Sequence, residues 1–232
     1  LNAVIELTET YPGEIAAVML EPVAGNMGMI PPIHGFLQGL RDLCDREGIL
    51  LVFDEVMTGF RVDFGGAQSL FQVMPDLSIF GKVIGGGLPV GAYGGRRVVM
   101  QEISPAGPIY QAGTLSGNPI AVTAGKTTLK ILRDEQPYAE LGRKTAALND
   151  ELLSAAKEKS IPLQICSMGG MFGFFFSEKN VHNYQDALQC NNKHFTIFFK
   201  EVLRQGVYLA PSPFESLFLS TSHTDEDLEK TA

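Results

Sequence analysis

Two residues of this 232-residue chain stand where a parallel α/β sheet presents reactive groups. Asp54 follows the apolar run Ile49–Phe53, and Lys82 follows Leu77–Phe80 after a single glycine. Open α/β sheets bind their ligands at the carboxyl ends of strands, so both positions are candidates for chemistry. Lys82 has no acidic neighbour in sequence and is followed by Ile84, Gly85, Gly86 and Gly87. It is therefore either a solvated strand-end charge or a functional amine. Burial of a lysine without a partner favours the neutral amine, the form that Schiff-base chemistry uses.

Asp54 alone admits several readings: a helix cap, a salt bridge, or a Walker-B aspartate, because LLVFDE has that shape. The segment AGKTT, with Gly125, Lys126, Thr127 and Thr128, even mimics a phosphate loop. A Walker-A loop needs a glycine five positions earlier, where this chain has Ile120, and it should follow a strand. Here the helical pattern that begins at Asn118 runs straight through it. Taken together, Asp54 and Lys82 on successive βα units point to one pyridine cofactor. A pyridinium ring needs a carboxylate against its nitrogen to act as an electron sink, and an aldehyde on that ring needs an amine. The pair fits pyridoxal 5′-phosphate, with Lys82 as the amine and Asp54 as the carboxylate.

The elements that must hold this pair alternate as βα units and predict an α/β fold with a mostly parallel sheet flanked by helices. Ile15–Leu20 reads as a strand. Pro31 and Pro32 lead into a helix with Phe36, Leu37, Leu40, Leu43 and Cys44 at spacings of three and four. Ile49–Phe53 reads as a central strand buried on both faces, and Leu77–Phe80 as its neighbour. Two long helices follow, Asn118–Arg133 and Tyr138–Lys159. Beyond Pro162 come short strands at Leu163–Cys166 and Met171–Phe176, a helix at Lys193–Gln205 and a strand at Val207–Leu209. The alternation is lost there, which predicts a larger first domain over residues 1–130 and a smaller α+β domain over 131–232. The chain opens and closes inside helical patterns, as a piece of a longer protein would.

Composition narrows the function classes. A net charge of −8 with no basic patch argues against nucleic acid or an anionic membrane as the main partner. No apolar run approaches the roughly 20 residues of a membrane helix. Cys44, Cys166 and Cys190 form no CxxC pair and the four histidines are scattered, so no metal site is expected. Glycine is the outlier at 25 residues, above the usual share of about 7%. The excess clusters in Gly81–Gly95 and Gly113–Gly125, where tight turns or a close ligand require it.

The segments EPVAGNMG (Glu21–Gly28), FDEVMTGFR (Phe53–Arg61), GKVIGGGLPVGAYGG (Gly81–Gly95) and YQAGTLSGNP (Tyr110–Pro119) resemble the glutamate-1-semialdehyde 2,1-aminomutases, a branch of the class-III aminotransferases. The resemblance extends through GGMFGFFF and GVYLAPSPFE. It implies a fold-type I pyridoxal-phosphate-dependent transferase with its N-terminal part lying before Leu1. It also implies an isomerase that turns glutamate-1-semialdehyde into 5-aminolevulinate by intramolecular amino exchange, on the route to heme and chlorophyll. Within that resemblance Lys82 matches the cofactor-binding and proton-shuttling lysine, and Asp54 the partner of the ring nitrogen. Val56 would pack on the ring face, with Asn26 and Met57 lining the same pocket. Gly113 and Thr114 match a segment touching the cofactor phosphate of a neighbouring subunit, so a homodimer with shared sites is implied. Tyr110 and Glu215 match positions near the substrate.

Bland alternatives stand beside these. Tyr110 would also serve as an interface tyrosine, Glu215 as a strand-edge charge, and Gly85–Gly87 as backbone packing. Arg61 is expected to ion-pair near Glu55. The resemblance further implies a bacterial cytoplasm or a plastid stroma, and it places the phosphate loop, the ring-stacking aromatic and the substrate arginine before Leu1. One departure concerns Phe214–Leu217, where the family's pattern has a glycine in place of Leu217; a leucine does not readily take positive φ. Class-III enzymes that exchange amines between two substrates commonly carry glutamine at the position of Met57 and a glycine before the arginine. DEVMTGFRV has neither, which favours the mutase over the two-substrate aminotransferase. A non-catalytic dimerising fragment is the rival from another class.

Overall fold

The computed structural model describes residues Leu1–Ala232. In chain order the elements are α1 (Asn2–Thr10), β1 (Ala17–Leu20), α2 (Phe36–Glu47), β2 (Leu50–Asp54), α3 (Gly66–Phe71), β3 (Leu77–Phe80), a 3-10 turn (Lys82–Gly85), β4 (Ala92–Gly95) and α4 (Arg97–Met100). They continue with α5 (Pro119–Glu135), α6 (Tyr138–Glu158), β5 (Gln164–Met168), β6 (Met171–Phe175), α7 (Tyr184–Leu188), α8 (Asn192–Arg204), β7 (Leu217–Phe218) and α9 (Asp225–Thr231). Two compact units result: residues 1–22 with 33–135, and residues 23–32 with 136–232. No helix is long and apolar enough to cross a membrane.

The first unit is built on a four-stranded sheet in the order β1-β2-β3-β4. The first three strands are parallel and β4 runs antiparallel to β3. In β2, Leu51, Val52 and Phe53 are all buried, as expected of a strand covered on both faces. Helix α2 closes one face. It begins after Gly35 and ends at Gly48, both left-handed, with the Gly48 amide bonded to the Cys44 carbonyl. Such a glycine satisfies the last carbonyls without the penalty a Cβ would incur. Leu37, Leu40 and Cys44 of α2 pack with Ile49, Leu51, Phe53 and Val73, and Val4 of α1 joins them.

Strand β4 was not legible in sequence, and its pairing with β3 makes the sheet mixed. Gly95 permits it, because a Cβ there would lie 2.0 Å from the Asp76 carbonyl oxygen. An ionic clasp around a buried carboxylate ties the same corner together. The Asp76 carboxylate, 1% exposed, accepts from Arg96 at 2.7 Å, Arg41 at 2.8 Å and the Leu51 amide at 2.8 Å. Burial alone would raise the Asp76 pKa, but these donors outweigh it and hold the carboxyl below its usual range.

The second unit has a three-stranded antiparallel sheet, β5-β6-β7. Every residue of β6 is buried. Phe174 and Phe176 pack against Phe195 of α8, with Phe198 and Phe199 around them. Side chains cap the helices at their starts: Asn183 for α7, Asn191 for α8, and Thr224 with Asp227 as a capping box for α9.

Three sequence expectations are corrected. The division falls after Glu135 rather than at residue 130, because α5 is one uninterrupted helix to that point. Residues 23–32, assigned by sequence to the first domain, pack in the second unit: Ala24 bridges Ile30, and Gly28 at φ +82 fits against Phe175, whose ring would lie 2.4 Å from a Cβ. Val207–Leu209 forms no strand. After Gly206 at φ +89, the Val207 amide bonds to the Val202 carbonyl and closes the end of α8.

Candidate active site

The sheet register decides how Asp54 and Lys82 relate. Asp54 ends β2 and pairs with Ile79 of β3, and Lys82 lies three residues beyond Ile79. Both groups therefore leave adjacent parallel strands at their carboxyl ends. Asp54 is half-buried; its Oδ1 accepts the Val56 amide at 3.0 Å, and its other oxygen has no donor within the chain. Val56 follows this turn back across the strands, since a Cβ at Gly81 would lie 3.2 Å from Val56 Cγ1. Lys82 forms no ion pair or hydrogen bond in the chain and is exposed. The burial anticipated from its apolar strand is not supplied by these residues, because the 3-10 turn opens at Lys82 itself.

One property of Lys82 gave no sequence signal: its φ is +47°. A side chain in the left-handed region costs on the order of 1–2 kcal/mol, and such outliers persist only where neighbours over-determine them. The neighbours are visible. Phe80 packs at a tilt against Phe60 with ring centroids 5.6 Å apart, and Phe60 packs edge-on against Phe64 at 5.4 Å. Phe60 is itself left-handed, at φ +58°. Gly59 fits between Phe80 and the Glu55 carbonyl, where a Cβ would approach 2.6 and 2.7 Å. The turn after Asp54 therefore braces the strand end that carries Lys82.

Glu55 anchors that turn. It is fully buried, and its carboxylate accepts from Thr58 Oγ1 at 2.6 Å and from the Ala67 and Gln68 amides at 2.8 Å each. These amides belong to the first turn of α3, so Glu55 caps that helix from a distance in sequence. The expected ion pair with Arg61 does not form: backbone and hydroxyl donors occupy Glu55, while Arg61 Nε donates to the Met57 carbonyl at 2.8 Å. Burial pushes the Arg61 pKa below the usual arginine value. Met57 is buried, at 5% exposure.

Tyr110, Gly113 and Thr114 lie on an exposed stretch that leads into α5. Tyr110 is 83% exposed. The Ser116 amide closes a turn onto Gly113, and Asn118 caps α5 through the Ile120 and Ala121 amides. No hydrogen bond joins this stretch to the ends of β2 or β3.

In the second unit the structure brings two distant loops together. The Gly28 amide donates to the Phe214 carbonyl at 2.7 Å, and Ser216 Oγ to the Gly25 carbonyl at 3.0 Å. Asn26 and Glu215, both exposed, sit on these joined loops. Leu217 is no obstacle. It lies in β7 opposite Phe172 and does not adopt positive φ.

The chain is similar in sequence and fold to known proteins. A glutamate-1-semialdehyde 2,1-aminomutase from Citrifermentans bemidjiense is 51% identical over 231 residues, covering all of this chain and 54% of that protein. An omega-transaminase from Sphaerobacter thermophilus superposes with a TM-score of 0.87 at 30% identity, over 99% of this chain and 52% of its own. A glutamate-1-semialdehyde aminomutase from Pseudomonas aeruginosa PAO1, solved in complex with PMP, gives 0.87 at 25% identity over 99% and 52%. The chain thus spans about half the length of the relatives it matches. The class-III aminotransferase model matches residues 1–230, and the chain belongs to that family.

Proposed function

We propose that the protein containing this chain moves an amino group within one molecule, converting glutamate-1-semialdehyde to 5-aminolevulinate with pyridoxal 5′-phosphate and its pyridoxamine form as cofactor. What carries the reading is the placement of Asp54 and Lys82 at the ends of two adjacent parallel strands. The choice of substrate rests on the 51% identity to a relative of that name.

The residues present fit the cofactor. Asp54 offers one carboxylate oxygen that no donor in the chain claims, suited to a protonated ring nitrogen, and Lys82 offers an amine with no carboxylate to neutralise it. Val56, half-buried between them beside Gly81, supplies an apolar surface for a ring face. When bound, the cofactor supplies an electron sink for the carbon that loses its proton. Asp54 holds the ring nitrogen's proton by accepting from it. Lys82 Nζ anchors the cofactor and then carries protons as a general base and acid. Gly113 and Thr114 are assigned to the cofactor phosphate of a second copy, making a homodimer part of the site; their exposure and the unclaimed Thr114 amide and hydroxyl support this. Asn26 is assigned with Met57 to the cofactor pocket, and Tyr110 and Glu215 to positions near the substrate.

The test is an assay of the intact protein with cofactor and glutamate-1-semialdehyde as the only amine source. Formation of 5-aminolevulinate is the expected outcome. Product that appears only with a separate amino donor would instead make it a two-substrate aminotransferase. If borohydride reduction leaves no cofactor on Lys82, the reading fails.

A further inference from the structure

The AGKTT segment is helical, lying within α5, and its glycine has a use unconnected with phosphate. A mid-helix glycine is about 1 kcal/mol less favourable than alanine, so a close contact is the usual reason to find one there. Gly125 makes such a contact. A Cβ on it would lie 2.2 Å from the carbonyl oxygen of Ile84 and 3.3 Å from its carbonyl carbon. That is about 1 Å inside ordinary van der Waals contact. Both atoms are backbone, so no side-chain rotation can relieve the overlap. Gly142 of α6 differs: a Cβ there meets nothing within 4 Å.

Ile84 belongs to the 3-10 turn that begins at Lys82. The next residue but one, Gly86, closes the same seam from the other side. It is left-handed at φ +57°, and a Cβ on it would approach Thr128 Oγ1 at 2.3 Å and the Ala124 carbonyl at 3.0 Å. Ala124 and Thr128 are one turn apart on a single face of α5. The helix and the turn therefore meet backbone to backbone through two glycines. On the opposite side of Lys82, Gly81 rests against Val56 and Phe80 against Phe60. Lys82 is held between these two supports in a conformation it would not adopt freely.

We infer that Gly125 is a positioning residue for Lys82: lacking a side chain, it lets α5 lie against the 3-10 turn and fixes the left-handed backbone from which the amine is presented. This rests on the reading of Lys82 as the cofactor-binding lysine.

The experiment uses the intact, cofactor-free protein and two measurements. One is the rate at which Lys82 is captured by pyridoxal 5′-phosphate with borohydride, located by peptide mass. The other is hydrogen exchange at the Ile84, Gly86 and Leu88 amides, which bond within this turn to Gly81, Val83 and Gly85. Gly125→Ala is expected to slow capture about tenfold or more, since a 1 Å misplacement can cost two orders of magnitude, and to speed exchange at Ile84 and Gly86. Gly142→Ala, the same change in open space, is expected to leave both unchanged. A folded Gly125→Ala variant with wild-type capture and exchange overturns the inference. If that variant does not fold, Thr128→Ala decides, because it loosens the seam at Gly86 without any overlap. Faster turn exchange with slower capture supports the inference, and wild-type values of both overturn it. Should Lys82 of the unaltered protein resist capture, the cofactor reading fails; the exchange comparison then still judges the seam.

Discussion

Replacing Glu55 by glutamine tests whether the turn after Asp54 is held by charge. The carboxylate is fully buried and receives three donors at 2.6, 2.8 and 2.8 Å. Gly66, at φ +71°, leaves it room, since a Cβ there would stand 2.7 Å from Oε2. Glutamine keeps the shape but retains one acceptor oxygen, and its NH2 group must face a backbone N–H. Hydrogen bonds to a charged group contribute about 1.5–3 kcal/mol each, and an orphaned buried donor costs about 1–3. With the remaining oxygen still engaged, the net loss is about 3–5 kcal/mol. At roughly 2–4 °C per kcal/mol for a chain of this size, the midpoint should fall by about 10 °C. Urea unfolding followed by far-UV circular dichroism gives the energy, and a thermal melt gives the midpoint. A loss below about 1 kcal/mol would refute the argument, for it would mean that solvent or a rearranged α3 replaces the carboxylate at little cost.

Two further outcomes are expected. Asp76 has a folded pKa held below its ordinary value of 3.8, so its stabilisation is complete above the unfolded value, near pH 4, and is lost as pH falls through the lower folded value. Asp76→Asn should therefore be less stable at neutral pH and lose less on further acidification below pH 4; urea midpoints from pH 7 to 3 check this, and parallel curves would exclude Asp76 as the source. Asp54→Asn should leave the melting temperature nearly unchanged, because the side chain is only half-buried, while lowering turnover of the intact protein by two or more orders of magnitude, as an amide cannot hold the ring nitrogen's proton by charge. Near-normal turnover in that variant would remove Asp54 from its assigned role.

How far the sequence could be read depended on the range of the interactions involved. Strands β1, β2 and β3 and helices α2, α5, α6 and α8 were legible because burial periodicity and caps are written locally. Asp54 and Lys82 were legible for the same reason, each being an unusual polar residue at the end of an apolar run. Strand β4 was not, since its glycines signal loop and only the pairing of Leu77 with Gly95 makes them strand. The transfer of residues 23–32 to the second unit was equally hidden. It depends on Phe175 and Phe214, well over a hundred residues away.

The sequence by itself determined the class of fold, the pair of groups suited to a pyridine cofactor and, through its motifs, the family. Tertiary structure alone decided that Glu55 caps α3 instead of pairing with Arg61, that Leu217 sits unstrained in a strand, and that Asn26 and Glu215 share joined loops. It alone showed Lys82 left-handed between two glycine contacts. The physical reason is common to all four. Which donor reaches a carboxylate, and which backbone a missing Cβ admits, depends on atoms brought within 3 Å by folding, and residue spacing carries no record of them.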